Sequence, residues 1–338
     1  KMSGFTAEIN LIGVLSPKTT TASTHLSEAS TAFELTLKNW WSILKRIFTN
    51  IGGHNVPLIS AGVAFYCLLA IFPLLGATIS LYGLIVSPEE LQRHMALLVD
   101  VVPSDSSYII EEQLKTLTEK SSSTLGWGFF LTLFLSLWSS SKGANALITA
   151  CNITYNESEG RGFFNGLVAR IACTICMIAT VIVALACITI LPETISWVAG
   201  GSIDDKQAMW LTWPVMLVLF NFCLSALYRY APHRRSAQWR WVTPGALLAT
   251  VLWIAASYGF SIYLNEFASY NKTYGSVGGI IILLMWLYLS AYIILIGAEV
   301  NSSIELQTSV DSTVGEDKPM GERNAVVADN TPEDLRKS

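Results

Sequence analysis

Long apolar windows separated by short polar stretches dominate the pattern along this chain. Six windows are each long enough to cross roughly 30 Å of hydrocarbon at about 1.5 Å per residue. They run over 57–86, 125–151, 166–191, 209–230, 243–267 and 274–300. The expected fold is therefore all-α, an integral membrane bundle of six transmembrane helices. The stretch "FELTLKNWWSILKRIF" repeats apolar residues at helical spacing: Phe33, Leu37, Trp40, Trp41, Leu44, Ile47 and Phe48. That stripe predicts an amphipathic helix lying in the membrane interface. The connection after the first window begins "SPEE". Ser87 can cap, Pro88 suits the first helical position and Glu90 completes a capping box. A second start follows at "PSDSSYIIEEQL", so two short extracytoplasmic helices are expected. Pro73, inside the first window, removes a backbone donor and predicts a kink.

The organisation follows from the same pattern. Residues 1–30 read as a disordered N-terminal tail, 31–306 as the six-helix domain with its interfacial helix, and 307–338 as a disordered cytoplasmic tail. Composition agrees: 52% of residues are hydrophobic and only 14% are charged, against about 25% in a soluble domain. The net charge of −4 decides little, because charge acts locally in a membrane protein. Placement is more informative. Lys38, Lys45 and Arg46 precede the first window. Arg161 lies between the second and third, and Arg229, Arg234, Arg235 and Arg240 flank the connection between the fourth and fifth. Of the alternate connections, two hold Lys206 or Lys272 alone, and the long one after the first window sets Arg93, Lys115 and Lys120 against many acids. By the positive-inside rule both termini of this multi-pass protein are expected to face the cytoplasm.

Candidate chemistry narrows the function by exclusion. The four histidines, His25, His54, His94 and His233, fall in different segments and form no metal-binding cluster. No Walker phosphate loop and no Gly-x-Ser-x-Gly elbow is present. The six cysteines lie in or beside apolar windows. Cys173 and Cys176 form a CxxC within an apolar helix, where small apolar filler is the expected role. The reading is of a non-enzyme with no cofactor and no metal. Its partners are membrane lipids with anionic headgroups and no nucleic acid, and self-association is open.

Polar residues inside the windows carry the functional expectation. Lys142 stands in "SLWSSSKGANALITACN", late in the second window. Arg170, Arg229 and Glu299 lie towards the same side of the membrane, with Asn145 and Asn221 as secondary polar groups. Two readings stay open. Glu299 neutralises a nearby arginine or Lys142 and the cluster fixes the bundle's inner end, or a basic cavity opens inward and attracts an anion or an anionic headgroup. Small residues around Lys142, as in Ser139/Gly143 and Ser140/Ala144, suit a helix-packing seam.

Four stretches also carry a resemblance. "SAGVAFYCLLAIFPLL", "LWSSSKGANALITACNITYN", "LYRYAPHRR" and "YGSVGGIIILLMWLYLSAYIILIGAEVN" occur in that order across residues 40–305. The chain resembles the YihY/BrkB family of bacterial inner-membrane proteins. The likeness implies an integral helical fold with six spans. Members carry names such as virulence factor and serum resistance, and some were formerly labelled ribonuclease BN. The resulting expectation is a transporter, or a lipid-binding or lipid-translocating protein, for an anionic solute or amphiphile. The alternatives are a non-transporting envelope scaffold and, behind it, a membrane-bound ribonuclease.

Overall fold

The structure is a computed structural model that describes residues 26–29, 31–82, 127–198, 205–267 and 276–335. The described residues are helical, with two isolated β-bridges and no strand. In chain order the helices are α1 (Leu37–Gly53), α2 (Val56–Tyr82), α3 (Trp127–Thr154), α4 (Phe163–Val198), α5 (Asp205–Tyr230), α6 (Trp239–Phe267), α7 (Ser276–Glu305) and the short α8 (Val326–Asp329). The expected helices around Ser87 and Pro103, and the expected disorder of residues 1–25, lie outside the described residues.

Among the described residues four helices are individually long and apolar enough to cross a membrane: α4, α5, α6 and α7. A fifth span results if α1 and the start of α2, bent by 61°, count as one broken crossing. The bend sits at His54 and Asn55. Asn55 takes a left-handed backbone (φ 51°), and Asn156 does the same (φ 56°) where α3 ends. Asparagine tolerates that region because its side chain hydrogen-bonds locally. Pro73 lies inside α2, as do Pro192 in α4, Pro214 in α5 and Pro244 in α6.

The helices α2 to α7 neighbour one another in chain order, and α7 returns to α2, so they close a ring. The outside of the ring is apolar. Val181, Ile188, Val218, Val251 and Ile262 are all exposed. Small residues take the places where helices meet, as expected where lipid supplies no drive to bury large side chains. A Cβ on Gly297 of α7 would strike Ala249 and the Gly245 carbonyl of α6, and one on Gly143 would sit 3.1 Å from Ala70 Cβ of α2. Where Pro244 interrupts the start of α6, Asn301 braces the backbone. Its Oδ1 accepts from Gly245 N–H at 2.7 Å, and its Nδ2 donates to Val242 O at 2.8 Å.

One end of the ring is densely packed, and we call it the base. It gathers α1, the turn after α3, the α5–α6 connection and the whole segment after α7. Residues 307–335 were expected to be a disordered tail, and here the expectation fails. The segment is hydrogen-bonded along its length. Ser312 Oγ donates to Glu305 Oε2 at 2.8 Å, Gln238 N–H donates to Ser312 O at 2.8 Å, and Val326 N–H donates to Glu157 Oε1 at 2.7 Å. Arg323 is buried and donates to the carbonyls of Ser309, Lys318 and Ala328. Val327 is fully buried in the largest core cluster. Low hydropathy misleads because this segment is held by polar partners scattered through the sequence. Ser27, at the end of the supposed N-terminal tail, pairs with Gln307 and Ser309 through backbone hydrogen bonds.

Candidate functional site: a polar groove on the flank of the ring

The helix α3 has two faces. Gly143, Ala144, Leu147, Ile148 and Cys151 are buried against α2, α4, α5 and α7. Trp138, Lys142, Asn145, Thr149 and Ile153 recur at spacings of three and four and are exposed. At about 100° per residue these two sets lie on opposite sides of the helix. Val63, Leu147, Ala150, Ala291 and Leu295 pack together where α2, α3 and α7 meet. Lys142 therefore lies on the face of α3 opposite the one packed against α4, α5 and α7.

The exposed face of α3 forms the floor of an open groove of about 530 Å³. One wall is α2, with Ile59, Gly62 and Tyr66; the other is α4, with Arg170. A smaller recess of about 180 Å³ shares Asn145 and Arg170 and continues to Glu159 and Arg161 at the base. Lys142 stands twelve residues before the end of α3, which is about 18 Å along the axis. The groove thus places a few polar side chains, from the base to mid-height, among mostly apolar walls.

Its cations differ in how they are held. Arg161 is occupied: its Nη1 meets Glu159 Oε2 at 3.2 Å and its Nη2 donates to Ala231 O at 3.0 Å. Arg170 donates its Nε to Gly166 O at 3.1 Å, which fixes the side chain along its own helix. No carboxylate pairs with Arg170 or Lys142 among the described residues. The site offers two positive groups, the Asn145 amide and the hydroxyls of Tyr66, Ser141 and Thr149 among mostly apolar walls. That set suits an anion with several oxygen acceptors.

The structure brings together three of the six candidate contacts, Lys142, Arg170 and Asn145, and separates the other three. Asn221 donates to Thr250 Oγ1 at 3.4 Å between α5 and α6. Arg229 lies over the rings of Trp239 and Tyr230. Glu299 is fully buried and meets His54, whose Nδ1 is 2.5 Å from Glu299 Oε1, while Asn50 donates to Glu299 Oε2 at 3.3 Å. A neutralised Glu299 was one of the two open readings, but its expected cation was an arginine or Lys142. The histidine lies 245 residues away in sequence, and only the fold reveals it. Thr149 and Tyr66 were missed as lining residues. The three-and-four spacing from Trp138 through Lys142 and Asn145 would have found Thr149. Among the described residues no group of three or more His, Cys, Asp or Glu could hold a metal ion.

Apolar helices closing a ring, with a packed polar base, define a multi-pass helical membrane protein. The sequence profile of the family described as virulence factor BrkB matches residues 47–321, and the chain belongs to that family. It is similar to a Bacillus subtilis protein named a ribonuclease-like protein, YfkH, at 33% identity over 77% of this chain and 94% of the relative. It is also similar to a UPF0761 membrane protein of Kangiella koreensis, at 27% identity over 77% of this chain and 64% of that protein. A UPF0761 membrane protein of Stenotrophomonas maltophilia is 40% identical over 88 residues, 26% of this chain and 20% of the relative. No solved structure matches.

Proposed function

We propose that the protein binds an anionic amphiphile in the flank groove and carries its headgroup between the base and the middle of the membrane. The observation that carries this reading is the pair Lys142 and Arg170, which line an open groove and pair with no carboxylate among the described residues. A lysine facing acyl chains is unfavourable by about 3 kcal/mol at a helix centre. A headgroup phosphate in the groove removes that penalty, while the acyl chains remain in the surrounding lipid. A free solute gains less from a site that opens sideways, so the amphiphile is preferred.

In this reading α2 to α7 are six spans and the base faces the cytoplasm of a bacterial inner membrane. Support comes from Lys38, Lys45, Arg46, Arg161, Arg229, Arg234, Arg235 and Arg240, all at the base end. The helix α1 is interfacial. Its Ile43 and Ile47 pack inward, whereas Leu37, Trp41, Leu44 and Phe48 form an exposed apolar stripe, and Lys45 Nζ lies 5.3 Å over the Trp41 ring. The single stripe read from the sequence thus resolves into two, with Trp40 and Ile47 on the inward one. The protein acts without catalysis, with membrane lipid as its partner.

The test is reconstitution into vesicles containing a fluorescent phosphatidylglycerol or a fluorescent phosphatidylcholine. Wild type should move the anionic probe faster than the zwitterionic one. Lys142→Ala with Arg170→Gln should lower the anionic rate about a hundredfold, about tenfold for each lost charge-assisted contact. An unchanged rate in a folded double variant excludes these roles and leaves the scaffold.

A further inference from the structure

A second arrangement lies at the base, between α5 and α6, and shares no residue with the groove. Arg229, in the last turn of α5, places its guanidinium carbon 4.8 Å from the ring centre of Trp239 and 5.2 Å from that of Tyr230. Trp239 opens α6 and stacks on Phe222 at 5.5 Å with 16° between the planes. Tyr230 meets Trp239 edge-on at 6.3 Å. All three rings are exposed on the apolar outside of the ring of helices.

We propose that this shelf is a binding site for the phosphate of an anionic phospholipid in the leaflet at the base. The aromatic faces hold the guanidinium plane, so little freedom remains to be lost on binding. Arg229 Nε is enclosed and has no hydrogen-bond partner. No carboxylate pairs with the side chain among the described residues. The terminal nitrogens are thus an uncommitted pair of donors with the geometry that phosphate oxygens accept. Exposed Phe222 and Tyr230 offer apolar contact to the acyl chains, and Arg240, exposed beside Trp239, adds positive charge. A cation at a helix C-terminus is favoured by the macrodipole alone, but that effect requires neither stacked rings nor an arginine.

The inference needs only that the base lies at a membrane surface, and it stands apart from the groove. Full-length protein in micelles with equal phosphatidylglycerol and phosphatidylcholine, followed by native mass spectrometry, provides the test. Wild type should retain phosphatidylglycerol in excess. Arg229→Gln should lower that excess about tenfold and leave phosphatidylcholine unchanged. Arg229→Lys keeps the charge without the stacked plane and should recover only part of the excess. Lys142→Ala should leave it intact, which distinguishes the shelf from the groove. An unchanged lipid ratio in folded Arg229→Gln, or full retention by Arg229→Lys, overturns the proposal. If Arg229→Gln does not fold, Arg229→Lys alone decides.

Discussion

The base and the groove both place basic side chains where helices end or open, and they treat those charges in opposite ways. At the base, Arg234 Nη2 donates to Glu305 Oε2 at 2.6 Å, with the two side chains 2% and 0% exposed. The same guanidinium lies 5.2 Å from the Tyr155 ring, and Ser312 closes on the carboxylate from the C-terminal segment. Asp311 shows how far local donors can go. Burial opposes its charge, yet the N–H groups of Thr313 and Lys318, the Thr313 hydroxyl and Arg323 hold its carboxyl below the usual range. In the groove, Lys142 has no such company. A charge locked by partners contributes architecture, whereas a charge without partners on an open floor is available to a ligand.

The sharpest way to break this contrast is to remove a partner at the base. Glu305→Ala leaves the Arg234 guanidinium buried without its carboxylate. The expected loss is about 3–5 kcal/mol, the usual effect of stranding one member of a buried pair. Denaturant unfolding in micelles measures it. Glu305→Ala combined with Arg234→Ala should cost less than the two single losses added, because the residues act as a unit. A loss below about 1 kcal/mol for Glu305→Ala, the exposed-pair range, would mean that the base is wet and its pairs are solvated.

Hydropathy made the helices legible, because a long apolar run has few other physical outcomes; among the described residues four of the six windows fall on helices individually long and apolar enough to span. Their lengths were less so. The third window was read as 166–191, whereas α4 runs Phe163–Val198. A helix continues past its greasy centre wherever its backbone stays satisfied. The C-terminal segment was misread for the complementary reason. Its anchors are Glu157, Gln238 and Glu305, and no local periodicity announces a partner up to 169 residues distant. The site was half visible. Lys142, Asn145 and Arg170 converge because α3 and α4 are neighbours, as a short connection implies. Arg229 and Glu299 share their level in the membrane but not their position around the ring, and hydropathy carries no information about rotation.

A smaller effect tests the boundary between the two regions. His54 sits where α1, α2, α7 and the turn after α3 meet. Its Nδ1 faces Glu299 Oε1 and its Nε2 lies 3.2 Å from Asn156 Oδ1. Both neighbours are oxygen acceptors, so the doubly protonated ring satisfies both. The hydrogen bond to Glu299 raises the His54 pKa above its ordinary 6.5, with burial opposing and the Glu299 charge and Asn156 adding to the rise. A raised folded pKa gives stability that is complete below the unfolded value. It is lost as pH climbs through the folded one. The melting temperature should therefore fall as pH rises above about 6.5, and His54→Gln should flatten that part of the profile. Glu299 is the carboxylate against this ring, so Glu299→Gln should flatten it as well. A slope that persists in both variants would assign the titration elsewhere.

The smallest stability effect is expected at the residue with the largest functional one. Lys142→Met replaces an exposed ammonium, unpaired among the described residues, by an apolar chain of similar length. The Gly143 contact with α2 is untouched, because it lies on another face of the helix. The change in unfolding free energy should stay within about 0.5 kcal/mol, as for a surface position free of buried partners. Methionine in lipid is better solvated than lysine, so a small gain is the expected sign. Preference for the anionic probe should nevertheless fall. If Lys142→Met instead destabilises as strongly as Glu305→Ala, the lysine has a buried partner in the folded protein. The groove and the base would then share one role, and the distinction between locked and available charge would collapse.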